Sequence, residues 1–460
     1  MIEPMKPIIL KELGYDTVEV EAALRATAMT IEELAYALRP IAKIEPDWKP
    51  GHVRVSAGQV IGSVQVGGLR VEVRPRLAAR EAVTMIRYAL GGKVDSTLHA
   101  TFPTGASVGL DELICHVLAD EADRIRQAGL SRKYEKQHER LSVLRGRPDF
   151  VSSFPWDGER AGSLVCSFHL LTCDNLDNQL LRAALEQSCL LDISQRTRSR
   201  LLAHRRVWTS AAASIWPTHE HFSGARSRYT RLSEHYRLVH NLAELITFRR
   251  RPKDLFEVGD AAMGGLTLSM PMLFEKFVER LMNDLFSRTG ISVAAQRPDQ
   301  GALLDDVGSV YRRVRPDLVL SQGGKPVMVI DAKYKEYWPA EDGGAPSRRV
   351  SNADIYQLFF YAQRLQLRHS LPKPPAACII SPLPAEDERD GLTEIAGRYR
   401  RIVWRAGHEL AGDVRLLNLP LTSILRSMVE RKDWLDRLEM KEHLEAMLVA
   451  ISERPAQGGR

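Results

Sequence analysis

A chain of 460 residues is long enough for roughly two or three domains around a sizeable core. With 44% hydrophobic and 27% charged residues it is composed like a globular protein, which excludes a disordered or fibrous chain. The net charge of +6 suits contact with nucleic acid without requiring it. The N-terminal Met1-Ile2-Glu3-Pro4-Met5-Lys6-Pro7 lacks a signal-like apolar core, and no apolar run approaches membrane-spanning length. A cytoplasmic location with no membrane partner is the expectation. Cys115, Cys166, Cys173, Cys189 and Cys378 form no Cys-x-x-Cys pair, which argues for reduced thiols rather than a disulfide frame or zinc site.

Residues 1–105 read as an N-terminal mixed α/β domain. Helical spacing runs from Val18 to Leu38, with Thr30-Ile31-Glu32-Glu33 offering a cap and an acidic first turn. Strands follow at His52–Val55, Gln59–Val66 and Leu69–Leu77, the last two joined by a Gly67-Gly68 hairpin signal. Arg54, Arg70, Arg74 and Arg76 make either a basic face for nucleic acid or an ordinary solvated strand face.

Residues 106–265 read as mainly helical with a β insertion. Helices are expected over Leu110–Ala128, Asn178–Arg206 and Tyr229–Arg251, and a β-rich segment over His138–Cys173. Within that segment Arg147-Pro148-Asp149 is followed by no Asp/Glu-x-Lys strand, so Asp149 reads as a turn or strand-end residue. Arg196, Arg198, Arg200, Arg205 and Arg206 are clustered, as are Arg226, Arg228 and Arg231. Such runs are solvated helix faces or contacts to phosphate or a partner, and Arg198 and Arg205 are the DNA-binding candidates. His219-Glu220-His221 has no further ligand at a recognisable spacing and reads as surface.

Residues 266–417 carry the chemistry. An amphipathic helix from Met272 to Phe286 buries Leu273, Phe274, Phe277, Val278, Leu281, Met282 and Leu285, with Glu275 on the border of the stripe and Glu279 nearer solvent. Two apolar runs, Leu318-Val319-Leu320 and Val327-Met328-Val329-Ile330, are split by Gly323-Gly324 and read as adjacent strands. Side chains alternate along a strand, so Asp331 and Lys333 emerge together while Ala332 points away. Burying unpaired charges costs several kcal/mol, and two carboxylates such as Asp317 and Asp331 at about 4 Å repel by roughly 4 kcal/mol in an effective dielectric near 20. A hard divalent cation, Mg²⁺ or Mn²⁺, converts that repulsion into attraction. Pro339 to Arg349 is a Gly-, Pro- and charge-rich loop whose Arg348 and Arg349 are placed to meet a DNA backbone. The next helix, Asp354 to Leu367, is apolar round most of its circumference and keeps Asp354, Gln357, Tyr361 and Arg364 on one polar face. Later strands are expected at Cys378–Ile380 and Arg401–Trp404, and residues 418–460 as a C-terminal extension, helical over Ser423–Ser452.

Pro316-Asp317 followed by Asp331-Ala332-Lys333 resembles the PD-(D/E)XK nuclease superfamily, and the Gln357-x-x-x-Tyr361 spacing resembles its RecB-like members. Some of those members carry an iron–sulfur cluster ligated by cysteines after this helix. Here Cys378 alone follows, so no cluster is expected. The order of segments resembles the McrC family, nuclease subunits of McrBC modification-dependent restriction systems. It rests on Gly58-Gln59-Val60-Ile61-Gly62, Val71-Glu72-Val73-Arg74-Pro75-Arg76, Arg145-Gly146-Arg147, Asp177-Asn178-Gln179-Leu180-Leu181, Leu273-Phe274-Glu275-Lys276-Phe277-Val278 and Asp354-Ile355-Tyr356-Gln357.

The resemblance implies an α/β, mixed α+β multidomain protein: a β-rich N-terminal domain, a helical middle, and a nuclease domain with a central mixed sheet flanked by helices. It implies an Mg²⁺-dependent endodeoxyribonuclease acting on modified DNA. The metal would be held by Asp317, Asp331 and the Ala332 carbonyl, with Glu275 contributing directly or through water. Lys333 would stabilise the transition state, with Gln357 and Tyr361 holding the nucleophile or the scissile phosphate. A McrB-like AAA+ GTPase hexamer is the implied partner. No Gly-x-x-x-x-Gly-Lys-Ser/Thr loop occurs in this chain, so no nucleotide site of its own is expected. Two further readings stand beside this one: a self-sufficient RecB-like repair nuclease, and a non-catalytic activator of a AAA+ partner.

Overall fold

The computed structural model describes residues 7–20, 29–49, 51–66, 69–94, 102–103, 105–153, 163–231, 233–249, 262–295, 299–304, 309–335, 337, 350–383, 388, 398–406 and 409–438. The Gly67-Gly68 turn and the loop carrying Arg348 and Arg349 lie outside them.

The N-terminal part is built from two sheets. One has the order Ile8–Lys11, Leu69–Arg74, Val60–Val66, Ala262–Ser269, and the other Tyr15–Glu19, His52–Ala57, Ala42–Pro46. Val18 is therefore extended, paired with Val53; of the expected helix over Val18–Leu38 the segment Ile31–Leu38 is helical, and residues 21–28 lie outside the described set. The β-branched Thr17-Val18 pair finds its hydrogen bonds on a neighbouring strand. The capping signal is borne out: the Thr30 side chain accepts from Glu33 N, and Glu33 returns a carboxylate to Thr30 N at 2.8 Å. Arg70, Glu72 and Arg74 share one strand face. Arg74 Nε binds Glu72 at 2.7 Å, so an acid interrupts this part of the expected basic face.

Ala262–Ser269 is a strand that crosses the expected 265/266 boundary, between the helices expected over Tyr229–Arg251 and Met272–Phe286. It pairs antiparallel with Val60–Val66, Gly62 opposite Thr267. Gly62 has φ +137°, and a Cβ there would stand 2.1 Å from the Leu266 carbonyl oxygen, so only glycine permits the approach.

In the middle, Leu110–Ala128 is helical as expected. Asn178–Arg206 is not one helix but two, Leu176–Ser188 and Gln195–Ala211. Ser194 caps the second by accepting from Thr197 N, and Glu112 holds Ser194 N at 2.7 Å. Arg198 donates to the carbonyls of Cys189 and Leu191 at the break. A charged donor on freed carbonyls replaces helix hydrogen bonds there, so Arg198→Ala is expected to cost about 1 kcal/mol, read as a lowered denaturation midpoint. The last middle helix, Arg237–Arg249, follows a 3-10 turn at Glu234–Tyr236, and His219–Ser227 is a separate short helix. The β insertion is borne out as Lys133–Leu141, Arg147–Asp149 and Leu164–Thr172, with Asp149 at a strand end accepting from Ser152 N at 3.1 Å.

The C-terminal part holds a six-stranded mixed sheet in the order Ile291–Ala295, Leu318–Gln322, Lys325–Ala332, Ala376–Pro382, Glu409–Leu419, Arg398–Ala406. Gly323 and Gly324, at φ 55° and 79°, turn the expected hairpin and set Gln322 opposite Lys325. Alternation sorts the faces. Met328, Ile330 and Ala332 join the main hydrophobic cluster with the Met270–Phe286 helix, while Val329 packs with Leu358, Tyr361 and Ala362 of the Asn352–Arg368 helix. The main cluster is continuous from Ile8 to Leu438, through the N-terminal sheet, the middle helices and one face of this sheet. Beyond it the chain forms a helix over Leu421–Glu430, shorter than the expected Ser423–Ser452, and residues 439–460 lie outside the described set. No helix among the described residues is long and apolar enough to cross a membrane.

Candidate metal centre and its relatives

Lys325–Ala332 is buried along nearly its whole length between Leu318–Gln322 and Ala376–Pro382. Its last turn outward sets Asp331 and Lys333 on the face towards the Asn352–Arg368 helix, as alternation requires. Asp331 is 0% exposed, and among the described residues the donor that meets its carboxylate is the Lys333 ammonium. The Lys333 ammonium stands 2.9 Å from Asp331 Oδ2 as an ion pair, and its backbone N–H is tied to Ile380 O at 2.8 Å. Asp317, just before the first hairpin strand, accepts from Ala332 N at 2.9 Å through Oδ2.

The electrostatics follow from this crowding. Burial, and then the charge of Asp317, push Asp331 up to about 7 from an ordinary 3.8, against the pull of Lys333. Asp317 is also raised, by burial and by the negative charge of Glu275, with the Ala332 N–H opposing. Burial alone would depress Lys333, but Asp331, Asp317 and Asp354 outweigh it and hold the ammonium charged.

The polar face of the Asn352–Arg368 helix closes the site. Gln357 Oε1 lies 3.5 Å from Lys333 Nζ, Gln357 Nε2 donates to Tyr361 OH at 2.7 Å, and Tyr361 OH donates to Arg315 O at 3.2 Å. Asp354, on the same polar face, is a further residue of the site. It is buried, 3.7 Å from Lys333 Nζ and 3.2 Å from Lys335 Nζ, and it accepts from Ser351 Oγ at 2.6 Å and from the Tyr337 hydroxyl. Its spacing three residues before Gln357 was the available signal. Glu275, partly buried on the Met270–Phe286 helix, reaches the centre through its field on Asp317.

Among the described residues, no three His, Cys, Asp or Glu side chains form a ready metal cluster. Mg²⁺ does not need one, since it is held by one or two carboxylates and keeps several waters. A fully buried carboxylate beside a second raised carboxylate is what a hard cation satisfies, so Asp331 and Asp317 fit the group.

The DNA-binding candidates Arg198 and Arg205 lie elsewhere. Arg198 is engaged at the helix break, and Arg205 is exposed on the same helix, which packs on Leu110–Ala128 and Leu176–Ser188.

A family model described as the McrBC 5-methylcytosine restriction system component matches residues 55–371, more than half of the chain. The chain belongs to that family, and the McrC resemblance is borne out. The Type IV methyl-directed restriction enzyme EcoKMcrBC of Escherichia coli (strain K12) is 21% identical over 304 residues, covering 64% of this chain and 83% of that protein. In fold, the chain is similar to one from a refined half-complex of a tetradecameric assembly of Thermococcus gammatolerans McrB AAA+ hexamers with bound McrC. The TM-score is 0.57 at 17% identity, over 96% of this chain and 100% of that one.

Proposed function

We propose that this chain is the Mg²⁺-dependent DNA endonuclease subunit of a McrBC-like modification-dependent restriction system, acting with a AAA+ GTPase ring. The carrying observation is Asp331, fully buried between a second carboxylate, Asp317, and the Lys333 ammonium. Asp317, Asp331 and the Ala332 carbonyl would hold the ion, with Glu275 adding an acidic contact. Bound there, Mg²⁺ supplies Lewis-acid polarisation of the phosphodiester. Lys333, kept protonated by three carboxylates, places positive charge where the phosphoryl oxygens gain negative charge. Gln357 and Tyr361, already joined to each other, orient the attacking water or the scissile phosphate. Linearisation of modified plasmid with Mg²⁺, partner and GTP, with EDTA as control, tests the reading. Efficient cutting by the chain alone would favour the RecB-like alternative instead.

The assembly seen in the McrB–McrC structure supports a AAA+ partner, and this chain offers an apolar surface for one. Val143, Leu144, Phe150 and Val151 are exposed on the β insertion, whose buried Cys166 and Phe168 belong to neither main hydrophobic cluster. The isolated chain is expected to hydrolyse neither GTP nor ATP but to raise the steady-state rate of the cognate ring. Phe150→Asp with Val151→Asp should remove that stimulation. An unchanged ring rate with wild-type chain would sink the McrBC-like assignment, and unchanged stimulation by the double variant would clear this surface of the role.

A further inference from the structure

We infer that Gln59 is a positioning residue that holds the two halves of the metal centre in register, an inference that rests on the nuclease reading above. Gln59 lies in the Gly58–Gly62 segment of the N-terminal region, far in sequence from the acidic residues, and two of its groups reach the site's framework. Its side-chain Nε2 donates to the carbonyl of Tyr334, the residue after Lys333. Its backbone carbonyl accepts at 2.9 Å from Met270 N, the first residue of the helix that carries Glu275.

Each contact falls where the local structure needs support. The Lys325–Ala332 strand has ended before Lys333, so the Lys333–Tyr334 backbone is no longer held by a continuous ladder. Lys333 N is tied to the sheet through Ile380 O, and the Tyr334 carbonyl is tied through Gln59. On the other side, the glutamate helix is led in by Ala262–Ser269, whose Ser269 is opposite Val60, the residue after Gln59. The helix and the lysine segment also touch directly, Phe274 and Tyr334 having ring centroids 5.6 Å apart. Gln59 thus sits at the point where the glutamate helix, the lysine segment and the N-terminal sheet meet. Losing its donor frees the Tyr334 carbonyl, and a small shift there moves both Lys333, now 2.9 Å from Asp331, and the adjoining Ala332 carbonyl, a proposed ligand. Groups that orient a metal centre from outside it commonly change metal affinity or activity by about tenfold to a hundredfold when removed.

The test uses the full chain, with Mn²⁺ binding followed by electron paramagnetic resonance of the free ion and cleavage assayed with the AAA+ partner and GTP. Gln59→Leu is close in bulk but lacks the donor. It should lower kcat by about tenfold or more, leave KM for DNA within about twofold, and weaken Mn²⁺ binding several-fold without changing the fraction of folded protein. Gln59→Asn, polar but one methylene short, should behave alike and carries the test if the leucine variant misfolds. Asp331→Asn, run alongside, marks binding at the proposed centre. Wild-type Mn²⁺ binding and wild-type kcat in both Gln59 variants would overturn this inference while leaving the nuclease reading intact. A fall in kcat that only tracks lost folded protein would overturn it too. If wild-type chain neither binds Mn²⁺ through Asp331 nor cuts DNA, the nuclease reading fails and this inference falls with it.

Discussion

Asp331→Asn is expected to reduce DNA cleavage to background while leaving the fold and the stimulation of the partner in place. The substitution keeps the shape of a side chain that is 0% exposed, so it opens no cavity. It removes the charge that the site cannot otherwise satisfy. A pH signature should accompany it. The folded protein raises Asp331 from 3.8 to about 7, so between those values the folded state keeps a proton that the unfolded chain has released. Stability of the metal-free wild type therefore falls as pH rises through that window, and Asp331→Asn should flatten the curve. Mg²⁺ competes with the same proton, so its stabilising effect on the wild type should be larger at about pH 8 than at about pH 6. An Mg²⁺ response that is independent of pH and survives in Asp331→Asn would place the metal elsewhere.

Lys333→Met should also stop cleavage, by about a hundredfold to a thousandfold, yet for a different reason. A protonated lysine is no ligand, so metal binding should survive. Its ammonium is the nearest counter-charge to Asp331, at 2.9 Å, and it is among the groups that pull the carboxylate down. Removing it should push Asp331 further up and extend the acid-stabilised window of the metal-free protein to higher pH. Calorimetric titration with Mg²⁺ and melting curves against pH separate the two variants. Asp331→Asn loses both the metal and the pH dependence, whereas Lys333→Met keeps the metal and widens the dependence. Loss of metal binding in Lys333→Met would make the lysine a scaffold for the carboxylates rather than a participant in charge stabilisation.

What the sequence made legible was local. The Leu318–Ala332 hairpin could be read because Gly323-Gly324, the apolar runs and the Asp-x-Lys end all lie within a few residues of one another. Gln357 and Tyr361 were legible from their spacing on one helix, and their side chains indeed hydrogen-bond. The Thr30 cap was legible for the same reason. The break between Leu176–Ser188 and Gln195–Ala211 was not, because Leu, Ile and Cys fill it and its support comes from Glu112 on another helix. Ala262–Ser269 was hidden by its glycines, which weaken any strand signal although the close approach to Val60–Val66 depends on a glycine opposite. Arg198 looked like one of several surface arginines, and its use at two carbonyls depends on a break that periodicity did not show.

The pairing of Val60–Val66 with Ala262–Ser269 also imposes an order on biosynthesis. The Val60–Val66 strand emerges early from the ribosome, but its partner is not yet translated. At about 5–20 residues per second the wait is on the order of ten seconds or more. Throughout that interval one edge of a hydrophobic sheet stands open to other nascent chains. Gln59 is likewise made long before the helix and lysine segment it holds. A slow-translating stretch or a chaperone acting before residue 262 is thus expected to alter the yield of native protein.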